Sequence, residues 1–398
     1  MVLRIFFCST LLLLLPALSN AQEKDIYTEW NLESQFDYRY FLEDPLLDGQ
    51  HRNYPSLALI PEGLIEWNEG RHSLNFKGFF RLDRDENRTH WDIRELYWQY
   101  YQKNWELSVG AKKIFWGVTE SAHLVDVINQ TDQVESFDGE AKLGQPMAHF
   151  SLATKVGIFD AFVLPYFRKR IFPGLEGRLR PPFLLAKDDI AFEANAEEWN
   201  PDLAFRWAHT LGASDVGVSY FYGNGREPVF LPQENGSAFD IFYPLNHQIG
   251  VDLQTITGPW IWKLESFFRQ NDVQEVFALA AGFEYTFSNI RESGIDLSVL
   301  SEYLSDNRDE LALNSLDNDI FLGSRLAFND VQSTEILFGG IFDLARSSQL
   351  WSVEASRRLG SSWKVELEGR FLRNIASEEF LVFFQQDSFL QLRLAKFF

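Results

Sequence analysis

The sequence contains very little cysteine and comparatively few basic residues. Among its 398 residues the only cysteine is Cys8, so a chain that loses its first residues has no thiol for a disulfide or a thiolate metal site. The 36 Lys and Arg residues stand against 57 Asp and Glu residues, which gives a net charge of −21. This balance argues against a nucleic-acid partner, because such a partner needs a basic surface.

Long apolar runs are also absent, except at the start. Arg4 precedes an apolar run over residues 5–18, and three small residues, 19–21, follow it. This order is typical of a secretory signal peptide, and the run is shorter than the roughly 20 residues of a membrane-spanning helix. We therefore predict a signal peptide over 1–21 and a single domain over 22–398.

Aromatic residues, in contrast, are abundant and alternate with polar ones. The chain has 37 Phe, 13 Tyr and 12 Trp. In WKVELEGRF, residues 363–371, the charged side chains fall on one parity and the apolar side chains on the other, and the same alternation recurs over 72–83 and 260–269. Such alternation predicts long strands with one apolar face, and tilted strands of about 9–11 residues cross a bilayer.

This pattern favours an all-β fold, a transmembrane antiparallel up-and-down β-barrel of about 18 strands, within a range of 16–20. A large soluble β-sandwich or β-solenoid would show the same alternation but not strands of this length. The predicted strands lie near 27–40, 56–68, 72–84, 90–101, 104–116, 147–156, 158–169, 199–211, 214–224, 246–257, 260–271, 275–287, 293–305, 317–329, 332–344, 348–359, 362–373 and 387–398.

The lengths of the connections predict the orientation of the barrel. Outer-membrane barrels have short periplasmic turns and long extracellular loops. After even-numbered strands the predicted connections are short, as at 69–71 and 212–213. All of the longest ones follow odd-numbered strands, and they are 41–55, 117–146, 170–198, 225–245, 306–316 and 374–386.

Tryptophan and the C-terminus support the same interpretation. Trp prefers the membrane–water interface, and it recurs near the predicted periplasmic strand ends (Trp67, Trp105, Trp260, Trp363) and near the outer ends (Trp91, Trp116, Trp199, Trp351). The last strand must pair with the first to close the barrel. Its apolar residues Leu392 and Leu394 and its terminal Phe398 resemble the signal that the β-barrel assembly machinery reads, although Lys396 stands where an apolar residue is common.

The polar parity of the strands should face a lumen. Both charge signs occur there in similar numbers, so salt bridges between neighbouring strands are the simplest interpretation and a selectivity ring of one sign is not apparent. The pore-lining candidates are Lys77, Arg81, Glu106, Lys112, Arg206, Lys263, Glu265, Arg269, Arg325, Glu366, Glu368 and Arg370.

One long connection, 117–146, combines acids with a short apolar stretch, which favours an inward-folded constriction because exposed apolar residues gain nothing. We expect the constriction to include Leu124, Asp126, Ile128, Asn129 and Asp132. Its acids offer hard oxygens that suit calcium, although the spacing matches no EF-hand and solvated acids explain them better. We predict no other cofactor or metal.

A second connection carries a basic patch, formed by Arg168, Lys169, Arg170, Arg178 and Arg180. On an outer loop, this patch would contact the phosphates of lipopolysaccharide or attract anionic solutes. Charge balance against nearby acids, such as Glu176, is the alternative.

The stretch from Leu107 to Met147 resembles a signature of an uncharacterised family of Gram-negative, porin-like outer-membrane barrels, which carries a domain-of-unknown-function label. The resemblance implies a barrel and says little about cargo. Gln130 departs from the proline, and Lys113 from the glutamine, that are common there. The matching positions are Gly110, Trp116, Gly117, Asp126, Val127, Ile128, Asn129, Asp132, Leu143, Pro146 and Met147.

The sequence therefore predicts an outer-membrane channel for passive diffusion or uptake of small solutes. The alternative is a non-conducting, plugged barrel that binds a surface ligand or handles lipid. An outer-membrane hydrolase is less favoured, because its candidates Ser121, His123 and Asp126 lie in no known nucleophile motif. The expected partners are outer-membrane lipid, lipopolysaccharide, the assembly machinery and an unidentified solute, and the sequence does not define the oligomeric state.

Overall fold

The computed structural model describes residues 26–233, 238–308 and 316–398, apart from the side chains of 186–189. The predicted signal peptide, 1–21, lies outside the described residues. Within the described part of the chain no helix is long and apolar enough to cross a membrane.

An 18-stranded antiparallel sheet closes on itself, because the first strand pairs with both the second and the last. The prediction of an 18-stranded antiparallel barrel is therefore confirmed. Its strands, numbered with all strands in chain order, are β1 (Tyr27–Phe41), β2 (Asn53–Trp67), β3 (His72–Leu82), β4 (Trp91–Tyr101), β5 (Trp105–Lys112), β6 (Gln145–Thr154), β7 (Gly157–Leu164), β9 (Asp202–Leu211), β10 (Ser214–Asn224), β13 (Leu245–Thr257), β14 (Trp260–Gln270), β15 (Glu275–Phe287), β16 (Asp296–Asp306), β17 (Asn318–Ala327), β18 (Glu335–Asp343), β19 (Gln349–Leu359), β20 (Trp363–Arg373) and β21 (Phe389–Phe397).

Three further strands form a small separate sheet in the connections. They are β8 (Leu184–Phe192), β11 (Val229–Pro232) and β12 (Ala238–Tyr243), with β12 between the other two. Strand β12 runs parallel to β8 and antiparallel to β11. Three 3-10 turns accompany the strands at Glu197–Trp199, Ile290–Glu292 and Phe380–Phe384.

The alternation in sequence becomes an apolar outside and a polar inside. In β1 the side chains of Phe36 and Tyr38 are 45% and 38% exposed, whereas those of Asp37 and Arg39 are 0% and 6% exposed. Successive side chains of a strand point to opposite faces, so each strand contributes apolar groups to the outer surface and charged groups to the lumen. This arrangement, inverted relative to a soluble protein, is the one that a membrane barrel requires.

The two ends of the barrel differ as the sequence predicted. The connections at one end, the short-turn end, are brief, and the longest ones all lie at the other, the long-loop end. The longest connection is 165–201, which starts five residues earlier and ends three residues later than the predicted 170–198. The predicted strand 158–169 in fact ends at Leu164, because the chain beyond it leaves the wall and packs Phe167 against Ile241 and Tyr243 of the loop sheet.

The C-terminal strand closes the barrel against β1. Leu394 pairs with Phe36 and Leu392 with Tyr38, and the backbone N–H of Phe398 donates to the carbonyl of Leu32 at 3.0 Å. The unusual Lys396 places its ammonium group 4.9 Å from the centre of the Trp363 ring. A cation–π contact at the membrane interface thus accounts for a charged residue in this strand.

The tryptophan prediction holds in part. Trp67, Trp105, Trp260 and Trp363 each lie at a strand end beside a short turn. Trp116 was assigned to the outer girdle, and this was wrong: its side chain is buried inside the barrel, with its ring centre 5.6 Å from that of Phe162. The chain leaves the wall after Lys112 and takes Trp116 with it.

Two glycines lie where the chain leaves the barrel wall before residues 113–144 and where it rejoins the wall after them. Gly110 has a φ of 136°, and a Cβ at this position would lie 2.2 Å from the carbonyl oxygen of Leu96. A Cβ on Gly144 would lie 2.1 Å from the carbonyl oxygen of Arg94. Both positions face the backbone of β4 directly, so only glycine fits there.

Candidate solute pathway and its constriction

The connection over residues 113–144, called here the inner segment, folds into the lumen. Val125 and Ile128 have no exposed surface, and they pack with wall residues of β7 and β10, Phe162 and Phe221. Burying an aliphatic side chain contributes roughly 1.5–3 kcal/mol. The inner segment starts four residues earlier and ends two residues earlier than the predicted 117–146, because β5 ends at Lys112 and β6 begins at Gln145.

The inner segment also reaches the opposite wall. Leu124 packs against Phe267 of β14 and Val276 of β15. Together with Ala122 it also contacts the cluster of Ala280 and Leu304. The inner segment therefore crosses the lumen from β5 to β14–β16, which is consistent with a constriction.

Two wall carboxylates anchor the crossing. Glu265 of β14 accepts the backbone N–H groups of Val118 at 2.6 Å, Thr119 at 2.9 Å and Val125 at 3.2 Å. Glu302 of β16 accepts two further N–H groups, from residues 120 and 121, both at 2.8 Å. Charged acceptors form the stronger hydrogen bonds in proteins, so these two side chains fix the backbone of the inner segment.

Predicted constriction residues hold the inner segment together from within. The Asn129 side chain accepts from the N–H of Ile114 at 2.9 Å and donates to the carbonyls of Lys112 and Leu143 at 2.9 and 2.8 Å. Asp132 is fully buried and accepts from Arg94 of β4 at 2.5 Å. Asn129 also lines the smaller of the two cavities described below, as do Leu124 and Asp126, whereas Ile128 and Asp132 border neither cavity.

The edge of the inner segment that faces β17–β20 is joined to that wall by ion pairs. Arg325 of β17 donates to Glu120 at 2.7 Å. Arg370 of β20 contacts Asp138 and donates to Glu354 of β19 at 2.6 Å. Two arginines thus connect this edge to the wall across the lumen.

Two cavities lie on either side of the inner segment. The one toward the short-turn end has a volume of 860 Å³, and the one toward the long-loop end has a volume of 540 Å³. Four residues of the inner segment and three wall residues line both cavities, so the cavities adjoin there. This junction consists of Glu120, Asp138, Glu140, Lys142, Leu337, Glu354 and Arg370.

The predicted pore-lining residues are distributed unevenly. The larger cavity is lined by Lys77, Arg81, Arg325, Glu366, Glu368 and Arg370, and the smaller one by Arg269 and again Arg370. Lys263 pairs with Glu120 and Glu284 at 3.8 and 3.5 Å, and Glu265 is wholly buried under the inner segment. Their function in conduction stays a prediction.

Five of the predicted lining residues border neither of these cavities: Lys263 and Glu265, and also Arg206, Lys112 and Glu106. Arg206 forms a bidentate pair with Asp252, both bonds at 2.7 Å, beneath the ring of Trp116. Lys112 donates to Ser108 at 3.3 Å. Glu106 lies in the same strand, two residues before Ser108. The inner segment thus covers Arg206 through Trp116, whereas Glu106 and Lys112 are partly exposed.

The acids of the inner segment do not converge on one point. Asp126 pairs with Lys142 at 3.2 Å, Asp132 with Arg94, and Glu140 with His123 at 3.0 Å. In the described ranges no group of three His, Cys, Asp or Glu residues is placed to hold a metal ion. The calcium interpretation stays a prediction, whereas the solvated-acid interpretation does not describe Asp132, which is buried.

The predicted basic patch does not form an outer surface. Arg168 donates to Asp92 at 2.8 Å, Lys169 pairs with Glu198 at 3.5 Å, and Arg178 is buried and donates to Asp387 at 2.5 Å. Arg170 donates to the side chain of Gln130 and Arg180 to the carbonyl of Pro181, both at 3.2 Å. Pairing across the folded loops separates residues that are adjacent in sequence.

Three arginines surround Glu227 in the smaller cavity, and sequence reasoning missed Glu227 and Arg308 while naming Arg269 and Arg170 for other sites. Arg269 donates to its carboxylate at 3.0 Å and Arg308 at 2.7 Å. Burial opposes ionisation of Glu227, but the charges of Arg308 and Arg269 outweigh it and hold the pKa of this carboxyl well below its usual range. Arg170 lines the same cavity and has no ion pair among the described residues.

The candidate catalytic residues do not form a relay. The Ser121 hydroxyl donates to Glu302 at 2.5 Å, His123 pairs with Glu140, and Asp126 pairs with Lys142. A nucleophile needs its base within hydrogen-bond reach. Each side chain instead has a different partner, so this geometry does not support hydrolysis.

Solved outer-membrane channels share the fold at low sequence identity. A BenF-like porin from Pseudomonas fluorescens Pf-5 matches with a TM-score of 0.55 and 10% identity over 94% of this chain and 98% of that chain. Pseudomonas aeruginosa OccK2 (OpdF) in complex with glucuronate matches with 0.54 and 12% over 94% and 96%.

Pseudomonas aeruginosa OpdK with vanillate matches with a TM-score of 0.53 and 10% identity over 94% of this chain and 98% of that chain. No profile of a known protein family matches the sequence, and no curated protein matches it. The similarity to the solved channels shows that this chain has the fold of an 18-stranded porin-type barrel.

Proposed function

We propose that this protein is an outer-membrane channel for the passive diffusion or uptake of small solutes. The observation that carries the proposal is the pair of cavities, 860 and 540 Å³, that adjoin across the inner segment within a closed barrel. A barrel of 16–18 strands leaves room for an aqueous channel, and an inner segment that spans it sets the width. The apolar outer surface supports a location in a bacterial outer membrane.

Small carboxylates are the first solutes to test. Two of the similar channels were solved with glucuronate and with vanillate, which both carry a carboxylate. In this chain Arg170 lines the smaller cavity beside Arg269 and Arg308, and no carboxylate of the described residues forms an ion pair with it, although the charge of Glu227 acts on it. Arginine recognises carboxylates with two parallel hydrogen bonds, which supports an anionic solute in this chamber.

Planar-bilayer recording tests the channel function directly. Purified wild-type protein should conduct ions in discrete steps. A variant in which residues 118–142 are replaced by a Gly/Ser linker retains the wall glycine Gly144 and should show a larger unit conductance. Retained resistance to heat and detergent would serve as the control for an intact barrel.

The plugged barrel is the second candidate, and one observation favours it. Aromatic side chains from three connections meet over the long-loop end, with the Phe183 ring centre 4.3 Å from that of Phe239 and 5.7 Å from that of Phe383. A wild-type protein that conducts nothing, together with a linker variant that conducts freely, would select this candidate. If neither protein conducts, the channel function is wrong.

We also propose the remaining relationships that the sequence suggested. The long loops face outward, and cysteines introduced into 165–201 or 225–244 should react with an impermeant maleimide on intact cells, whereas cysteines in 212–213 should not. Lipopolysaccharide and outer-membrane lipid surround the barrel, and the β-barrel assembly machinery inserts it. Membership of the uncharacterised porin-like family rests on the motif between Gly110 and Met147.

A further inference from the structure

The junction between the two cavities contains an unusual arrangement of charge. Glu354 of β19 and Glu368 of β20 are direct cross-strand partners, a placement that repels when both are ionised. Arg370 lies between them, donating to Glu354 at 2.6 Å and pairing with Glu368 at 3.4 Å. On its other side it contacts Asp138 of the inner segment.

Arg370 is therefore a single cation among three carboxylates, and one of these belongs to the inner segment. The same guanidinium lines both cavities, as do Asp138 and Glu354. Its position makes it a link that holds the edge of the inner segment to the wall and, with Lys142, one of two cations that line the junction. Lys142 pairs with the buried Asp126 at 3.2 Å, so Arg370 is the cation that neutralises Asp138, Glu354 and Glu368.

We propose that Arg370 is the residue that determines charge selectivity in this channel, by balancing Asp138, Glu354 and Glu368 at the junction. This inference rests on the proposed channel function and assigns the selectivity of that channel to one residue. Without the guanidinium the junction would present a cluster of acids and favour cations. Without the Asp138 carboxylate, the arginine would be partly released and would favour anions.

Reversal potentials in a potassium chloride gradient test the assignment. Arg370→Gln should raise the ratio of potassium to chloride permeability by about fivefold, since a unit charge within a few ångströms of a permeating ion matters even in water. Asp138→Asn should shift the ratio in the opposite direction, and Arg370→Lys should keep it near the wild-type value. The two neutralising variants thus separate a charge effect from loosening of the inner segment. Loosening alone would shift the permeability ratio of both variants in the same direction.

The matched control is Lys364→Gln. Lys364 lines only the larger cavity and pairs with Glu366 at 2.5 Å. The control variant therefore also removes one positive charge, but at a position outside the junction. It should change the permeability ratio less than Arg370→Gln does. If Arg370→Gln fails to fold, the other two variants still test the assignment. Asp138→Asn should lower the ratio of potassium to chloride permeability, and Arg370→Lys should leave it near the wild-type value.

The outcomes distinguish the two proposals. A conducting wild type in which Arg370→Gln and Lys364→Gln have equal effects overturns the assignment of Arg370 and leaves the channel function intact. The assignment of Arg370 is also overturned if Arg370→Gln and Asp138→Asn shift the permeability ratio in the same direction. A folded wild-type barrel that carries no current overturns both.

Discussion

The guanidinium of Arg178 donates to the carboxylate of Asp387 at 2.5 Å and so joins two connections across the long-loop end of the barrel. The backbone N–H of Leu179 donates to the other oxygen of the same carboxylate at 2.9 Å. Arg178 belongs to 165–201, which leaves the wall at β7, whereas Asp387 lies beside β21. Connection 165–201 therefore crosses the mouth and is fastened on its far side.

Replacing Arg178 with glutamine should release this fastening. Asp387 would keep its burial and lose its charged partner, a change that typically destabilises by about 3–5 kcal/mol. We expect faster proteolysis within 165–201 in the folded barrel, measured as the rate of nicking by thermolysin in detergent. Lys169→Gln, which removes a half-exposed ion pair worth at most about 1 kcal/mol, is the control. Equal nicking rates for both variants would show that the contact does not hold the loop.

Glu265 should be the strongest anchor of the inner segment. Glu265→Ala leaves three backbone N–H groups without their acceptor, and hydrogen bonds to a charged group contribute about 1.5–3 kcal/mol each. The inner segment should then move more freely, and single-channel recordings should show a larger and noisier conductance. Glu106→Ala serves as the comparison, since no hydrogen bond joins this residue to the inner segment in the described residues. Unchanged traces for Glu265→Ala would contradict the anchoring.

The attachment of the inner segment should weaken at high pH through His90. Burial opposes protonation of His90, but the carboxylate of Asp132, 3.5 Å from its Nε2, outweighs it, so the pKa of His90 is raised. A group with a raised folded-state pKa stabilises fully below its unfolded value, about 6.5 for histidine, and loses this contribution as the pH rises through the folded value.

Thermal unfolding in detergent should therefore show a melting temperature that falls as the pH is raised above neutrality. His90→Gln should reduce this slope and lower the melting temperature mainly at the acidic end. A pH profile of His90→Gln that is parallel to that of the wild type would sink the prediction.

Deletion of Phe398 should affect assembly much more than stability. The side chain is 69% exposed, and the last residue joins the barrel through one backbone hydrogen bond, to Leu32. We expect less than about 1 kcal/mol of lost stability, since little area is buried. Pulse-chase labelling in cells should nevertheless show slower membrane insertion. An insertion rate equal to that of the wild type would remove the terminal aromatic from the proposed assembly signal.

The sequence was sufficient to predict the barrel because the alternation of polar and apolar residues assigns each wall residue to the lumen or to the outer surface. In β20 every second residue is charged, and Glu366, Glu368 and Arg370 all line the larger cavity. Glu302 of β16 was within reach of the same argument, since the polar residues Asp296, Ser298 and Asp306 share its parity. Its role as an anchor was missed because strand periodicity does not show which segment lies opposite.

The loops were less predictable for a physical reason. Arg178 and Asp387 are 209 residues apart in sequence, and Arg94 and Asp132 are 38 apart. A segment that follows no period gives no indication of which face it buries, so Trp116 was placed on the membrane and Arg178 on the surface. Only the packing of several connections in one lumen decides such contacts.

The two wall glycines have a consequence for how this barrel could diversify. Gly110 and Gly144 fix where the chain departs from the wall and where it returns, because a side chain at either place would strike the backbone of β4. Between them, contacts of the inner segment are made by side chains such as Asn129, which can be exchanged without altering a strand pairing. The wall and the inner segment can thus evolve separately. Substitutions confined to the residues between these two glycines would change which solute fits, while the barrel stays the same.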